Sequence, residues 1–234
     1  MTHEQLPPGS DAERDHGVDA PRTARPYAVV VGVLFLIGAI VAGLNSLSNR
    51  SAGPGGLSPG EPLPRFAAPA ATGSLAGDAN VNRDDAASDG DRQTPACEVR
   101  GPPTEVIRIC DFFDRPLVMV AWFTRGCGSC ERQLDTVEKV RERFPEVAFV
   151  GLDVADSRKK AEKRVRESGW RFPMAVDPDG AVSGLYRVGG GPMTFFAYPG
   201  GIAMATAFGE LDEQELVIRV RRLLGSAERR GLWP

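Results

Sequence analysis

The chain has 234 residues, 42% of them hydrophobic and 25% charged, with a formal net charge of −3 at pH 7. That length suits one domain with a tail or two small domains, and the even charge balance excludes a nucleic-acid binder driven by net charge and a wholly disordered chain. Its only two histidines, His3 and His16, stand near the start, so the rest of the chain has no imidazole for a Ser/His or Cys/His pair, a zinc or copper site, or haem ligation.

Residues 1–25 are poor in apolar side chains and read as a disordered tail. The run Tyr27–Leu44 then has 18 residues without a charge, which as a helix spans roughly 27 Å, enough for the hydrocarbon core of a bilayer. A transmembrane helix is therefore expected over 26–45. Arg22 and Arg25 precede it and Arg50 follows, so the positive-inside rule places the N-terminus in the cytoplasm and the rest of the chain outside. A cleaved signal peptide is the competing reading, but its leader would carry Glu4, Asp11, Glu13, Asp15 and Asp19, against the usual basic n-region. A buried helix of a soluble domain is a third, although the run has no polar face. Residues 46–95 are rich in Gly, Pro, Ala, Ser and Asp and read as a flexible low-complexity linker with a reach on the order of 40 Å.

Periodic patterning begins near Cys97, and residues 96–234 are expected to form one domain. TEVIRI (104–109) alternates as a strand, and LVMVAWF (117–123) is a continuous apolar run suited to a strand buried on both faces. From Cys127 to Arg143, Leu134, Val137 and Val140 fall at helical spacing, and the pattern stops before Pro145. VAFVGLDV (147–154) is a second buried strand, SRKKAEKRVRESG (157–169) a charged helix, and PMAV a short strand before a helix near Ala181–Tyr186. MTFFAYP, Gly200–Gly201 and IAMATAF read as a hairpin, closed by an amphipathic helix over 211–224. Short connections in this order predict a central sheet with helices on both faces.

Four cysteines carry the chemistry: Cys97, Cys110, Cys127 and Cys130. Cys127-Gly-Ser-Cys130 follows a buried strand and opens a helix. Helix N–H groups and the positive end of the dipole stabilise a thiolate on the first sulfur, and the second stands one turn away to attack a mixed disulfide. The even cysteine count in an oxidising compartment favours a structural disulfide between Cys97 and Cys110. Two unpaired thiols, or a four-cysteine zinc site of poor spacing, are the alternatives.

Strand, CxxC and helix, followed about 60 residues later by GGPMTFFAYPGG, resemble the thioredoxin superfamily. The likeness is greatest to the membrane-tethered, extracytoplasmic thiol–disulfide oxidoreductases of the TlpA/ResA type, and it covers roughly residues 96–225. The resemblance implies a thioredoxin fold with a central mixed β-sheet flanked by helices. It makes Cys127 the attacking thiol and Cys130 the resolving one. Pro192 becomes a cis-proline facing the pair, and Gly191 and Pro192 with Gly126 form the substrate-side wall. Partners would be extracytoplasmic thiol or disulfide proteins and a membrane electron donor, with no cofactor and no metal. The chain departs from the family at several positions. Gly126 stands where a Trp is usual, Gly128–Ser129 lacks the usual Pro, Ala121 replaces a buried Asp, and Gln133 replaces a Glu found in reductive members.

Two other functions compete. Thr124 and Cys127 match half of the peroxiredoxin pattern, with Val120 in place of its proline. A tethered thioredoxin-like module that binds through the Pro192 groove without turnover is the other. The basic helix at Arg158–Arg166 is interrupted by Glu162, and residues 96–234 hold 21 basic and 20 acidic side chains, so no nucleic-acid partner is inferred. No glycine-rich phosphate loop follows a strand, which argues against a nucleotide.

Overall fold

In a computed structural model of the chain, residues 55–75, 77, 80–81 and 94–234 are described. They fall within one compact unit, Ser51–Pro234. The N-terminal tail, the expected membrane helix over 26–45 and much of the expected linker, including residues 82–93, lie outside the described residues. Among the described residues, no helix is long and apolar enough to cross a membrane.

Five strands form the main sheet: β4 (Leu117–Trp122), β5 (Ala148–Val154), β6 (Met174–Asp177), β7 (Met193–Tyr198) and β8 (Ile202–Phe208). Their order is β6-β5-β4-β7-β8. β4 runs parallel to β5 and antiparallel to β7, so the sheet is mixed. The central position of β4 follows from its sequence, since all six of its residues are apolar and buried. Parallel neighbours require crossovers, supplied by α1 (Cys130–Arg141) between β4 and β5 and by α2 (Arg158–Ser168) between β5 and β6. β7 and β8 form a hairpin through Gly200 and Gly201, whose φ angles of +87° and +73° suit glycine.

The sheet separates two apolar layers. On one face Val118, Val120 and Trp122 pack with Leu134 and Val137 of α1, Val165 of α2 and Leu216 and Val220 of α4 (Glu213–Arg229). Asp212 caps α4, its Oδ1 accepting from the Glu215 N–H at 2.8 Å. On the other face Leu117, Met119 and Leu152 meet Val182 and Tyr186, on and just after the five-residue α3 (Ala181–Leu185). A helix that short cannot cover the sheet, and the remaining cover comes from an unexpected source.

The structure corrects two expectations here. TEVIRI does form a strand, β3 (Val106–Arg108), but it belongs to a separate antiparallel sheet, β2-β1-β3, with β1 (Phe66–Pro69) and β2 (Asn80–Val81). The expected linker 46–95 is also not all tether. Residues 55–75 are built into the domain, with Leu57, Leu63, Phe66, Ala68 and Ala70 buried in the second layer. Backbone bonds fix this strap to both edges of the main sheet. Leu63 N–H donates to Gly201 O at 2.7 Å beside β8, and Ala71 N–H donates to Met174 O at 2.8 Å on β6. The Tyr186 hydroxyl donates to Pro64 O at 2.8 Å, and Glu61 pairs with Arg187 at 3.0 Å. Few but well-spaced apolar residues, Leu57, Leu63 and Phe66, suffice because an open sheet face already needs covering.

Candidate active site

The loop after β4 delivers the cysteine pair. Cys130 is the first residue of α1 and fully buried, while Cys127 is partly exposed. The two sulfurs are bonded, with the Cα atoms 5.4 Å apart. Cys130 N–H donates to Cys127 O at 3.2 Å, Phe123 N–H points at Cys130 Sγ at 3.5 Å, and the Ser129 hydroxyl lies 4.0 Å from Cys127 Sγ. Cys127 therefore meets solvent at the positive end of a 12-residue helix, with Cys130 behind it.

Antiparallel pairing places the start of β7 beside the end of β4, with Met193 opposite Ala121. This brings the preceding loop to the cysteines. The Gly191–Pro192 peptide is cis. A Cβ at Gly191 would lie 2.7 Å from Phe123 Cδ2 and 3.2 Å from Cys130 Sγ, so only glycine fits without displacing the ring. Gly126 has φ +69° and open space where a Cβ would stand. The positive φ suits glycine there, and the position itself is open. Cys127, Cys130, Gly191 and Pro192 are gathered in one place, with Gly126 at the rim.

Two residues that the motifs did not announce join the site, and a third stands apart on β5. Arg132, on the first turn of α1, donates from Nη1 to Gly128 O at 2.7 Å and pairs with Glu210 through Nη2 at 2.5 Å. It ties the interior of the CxxC loop to the segment after β8, and the Arg132 guanidinium holds the Glu210 carboxyl below its usual range. Phe208, half exposed at the end of β8, flanks Gly190, while Gly209 N–H donates to Pro192 O at 2.9 Å. The third is Asp153 on β5, fully buried, with neither carboxylate oxygen hydrogen-bonded. Burial, with Asp156 adding to it against Lys160, pushes its pKa up to about 8. The sequence signal for Asp153 was a lone acid inside the apolar run VAFVGLDV; Arg132 and Glu210 had none.

The positions where the resemblance expects a carboxylate are also explicit. Ala121 is buried in the second layer. Gln133 is buried too, its Oε1 accepting from Leu211 N–H at 2.6 Å while Nε2 has no partner. Val120 sits in the middle of β4, so the peroxidase proline has no place there. Cys97 and Cys110 are bonded, with Cα atoms 5.8 Å apart, and join the turn at Ala96–Glu98 to that at Ile109–Phe112. Among the described residues no group of three or more His, Cys, Asp or Glu side chains could hold a metal. A cleft of about 450 Å³ lined by Arg115, Glu142, Pro145 and Arg171 lies at the opposite ends of β4 and β5 from the cysteines.

Comparison with known proteins places this site in context. The AhpC/TSA family profile matches residues 91–206. The thiol-disulfide oxidoreductases ResA of Bacillus thuringiensis (strain Al Hakam) and Bacillus anthracis are each 24% identical over 112 residues, covering 47% of this chain and 64% of theirs. The chain therefore spans just under two thirds of the length of these curated relatives. Among solved structures, one assigned as a thiol:disulfide interchange protein DsbE from Chlorobium tepidum superposes with a TM-score of 0.54 at 17% identity, over 73% of this chain and 98% of that one. The thioredoxin domain of a thiol-disulfide oxidoreductase from Bacteroides vulgatus gives 0.50 at 17% identity, over 71% and 97%. These superpositions establish the thioredoxin-like fold, and over residues 91–206, just under half of its length, the chain is similar to the AhpC/TSA family, with the ResA thiol-disulfide oxidoreductases among its relatives.

Proposed function

We propose that the chain is a thiol–disulfide oxidoreductase that acts through Cys127 and Cys130 on disulfides or dithiols of extracytoplasmic proteins. The observation that carries this reading is the geometry of the pair: a partly exposed cysteine and a buried one, bonded at a helix N-terminus against a cis-proline loop. The names of the ResA relatives point to the same chemistry.

In the reducing direction the Cys127 thiolate attacks one sulfur of the substrate disulfide. The Cys127–substrate bond forms, the substrate S–S bond breaks, and the released thiolate takes a proton. Cys130, once deprotonated, attacks Cys127 Sγ, closing Cys127–Cys130 and releasing the second substrate thiol. Two electrons pass from the cysteine pair to the substrate, and the oxidising direction runs the same steps backwards. Gly191 and Pro192 hold the incoming chain beside Cys127, and Gly126, with no side chain, leaves room for it. In the cell the Tyr27–Leu44 run would tether this domain outside the membrane, and a membrane dithiol donor would recharge it.

Trapping tests the proposal. Cys130→Ser cannot resolve, so it is expected to accumulate a mixed disulfide through Cys127 with protein substrates. Cys127→Ser is expected to trap nothing. Equal trapping by the two variants, or none by Cys130→Ser, counts against the proposal.

A further inference from the structure

Three glycines in a row, Gly189–Gly191, precede Pro192, and a run without side chains has little stiffness of its own. The loop that meets the cysteines must therefore take its position from what grips its two ends. At the far end the grip is β8 and the residue after it. Gly209 N–H donates to Pro192 O at 2.9 Å, and Phe208 stands against Gly190. At the near end, where α3 gives way to the loop, the grip is the start of the strap.

Gly56 N–H donates to Arg187 O at 2.8 Å, and Arg187 Nη1 donates back to Gly56 O at 3.4 Å. The same guanidinium reaches both oxygens of Glu61, from Nη1 at 3.1 Å and from Nη2 at 3.0 Å. Hydrogen bonds from Arg187 and from Ser58 N–H hold the Glu61 carboxyl below its usual range, so the pair stays ionised. The approach is close enough to need glycine on the strap side. A Cβ at Gly55 would lie 2.3 Å from Arg187 O and 3.1 Å from Gly189 N, and one at Gly56 would lie 2.5 Å from Thr206 Cγ2 and 3.1 Å from Met193 Cε. Leu57 then locks to β8: its N–H donates to Thr206 Oγ1 at 3.2 Å, and the Thr206 hydroxyl donates to Leu57 O at 3.0 Å.

Arg187 itself has φ +53°. A residue other than glycine keeps that left-handed conformation only where its surroundings impose it. Here the strap imposes it through Gly56 and Glu61, together with Gly184 O, which accepts from Arg187 N–H at 3.1 Å. Cover for the sheet comes from Leu57, Leu63 and Phe66. Gly55, Gly56 and Glu61 bring no apolar side chain to that layer, and all three meet Arg187 instead.

On the proposed thiol–disulfide function, we infer that the strap sets where the Gly191–Pro192 loop stands beside Cys127, with Glu61 and Arg187 as positioning residues for the incoming substrate. Neither residue touches the cysteines. They act through the loop, fixing its first residue while Gly209 fixes its last.

The test uses the full chain, with insulin as the protein disulfide and dithiothreitol as the reductant that recycles the cysteine pair. Glu61→Gln opens the ion pair and leaves the apolar residues of the strap in place. It is expected to raise KM for insulin about three- to fivefold, with kcat within about twofold of wild type. Arg187→Gln is expected to raise KM as well, and Glu61→Gln added to that background to change nothing more, since both act through one contact. Amide hydrogen exchange reads the position itself. Gly209 N–H, at the other end of the loop, is expected to exchange faster in Glu61→Gln, while the amides of β4 and β5 keep their wild-type protection. An unmoved KM, or Gly209 exchange equal to wild type, overturns the inference. So does a variant that loses kcat and protection across the whole sheet, because the strap would then serve stability alone. A wild-type chain that does not turn insulin over defeats the oxidoreductase function instead, and hydrogen exchange still decides the positioning.

Discussion

Phe66→Ala separates a structural strap from a tether. Phe66 is fully buried, with its ring edge-on to Tyr186 at 6.0 Å between centroids, and Tyr186 is edge-on in turn to Phe195 of β7 at 5.2 Å. Cutting the ring back removes buried apolar surface and opens a cavity beneath β1, which for Phe→Ala costs about 3–5 kcal/mol. In a unit of this size that is a fall in Tm of roughly 6–20 °C. A residue in a solvated linker would change stability by no more than about 0.5 kcal/mol. Urea unfolding followed by tryptophan fluorescence reads the difference, since Trp122 and Trp170 are both buried and edge-on at 5.4 Å. A loss below about 1 kcal/mol would refute the placement of residues 55–75 in the core.

Four further outcomes are expected. Replacing Cys97 and Cys110 together by Ser is expected to lower unfolding stability by about 3 kcal/mol, from loop closure across a separation of 13 residues, while leaving disulfide exchange at Cys127 intact. Gly191→Ala forces its Cβ against Phe123 and is expected to cost about 1–3 kcal/mol and to slow exchange, both measurable on one preparation. Arg132→Ala frees the Gly128 carbonyl from its anchor; the pair being exposed and screened by solvent, the urea midpoint is expected to stay where it is while the Cys127–Cys130 equilibrium with glutathione shifts. Asp153 has its carboxyl raised from 3.8 to about 8 in the folded chain, so between those values the folded state binds the extra proton. Its contribution to stability is thus present below about pH 4 and lost as pH rises towards about 8, and Asp153→Asn is expected to flatten that slope in urea midpoints.

Most of the fold was legible because its elements are strongly patterned. LVMVAW and VAFVGLDV are short, apolar-rich and β-branched runs between helical patterns, which fits buried strands, and Leu134, Val137 and Val140 declare the inner side of α1. The strap was not legible, because Leu57, Leu63 and Phe66 are spread among Gly and Pro and acquire meaning only against a sheet face that α3 leaves bare. The pairing of β3 with β1 was hidden for the same reason, its partner lying within a segment that reads as tether. At the site, the cysteines were carried by their spacing and context, and Pro192 by the resemblance of GGPMTFFAYPGG to the thioredoxin superfamily. Arg132 and Glu210 were not, since 78 residues separate them and only the α1–β8 geometry brings them together. Asp153 could have been noticed as a charge in a buried strand, yet nothing in the sequence says that its carboxylate has no partner.

The most direct measurement is a redox titration of the full chain in glutathione and dithiothreitol buffers, with each cysteine read by alkylation and mass spectrometry. A reversible two-electron couple confined to Cys127 and Cys130 is the expected result, with Cys97–Cys110 remaining bonded across the same range. A potential near about −270 mV would make the protein a reductant, and one near about −120 mV a disulfide donor. A Cys127–Cys130 pair that stays in one state throughout, or that opens only together with Cys97–Cys110, would contradict its role as the redox centre.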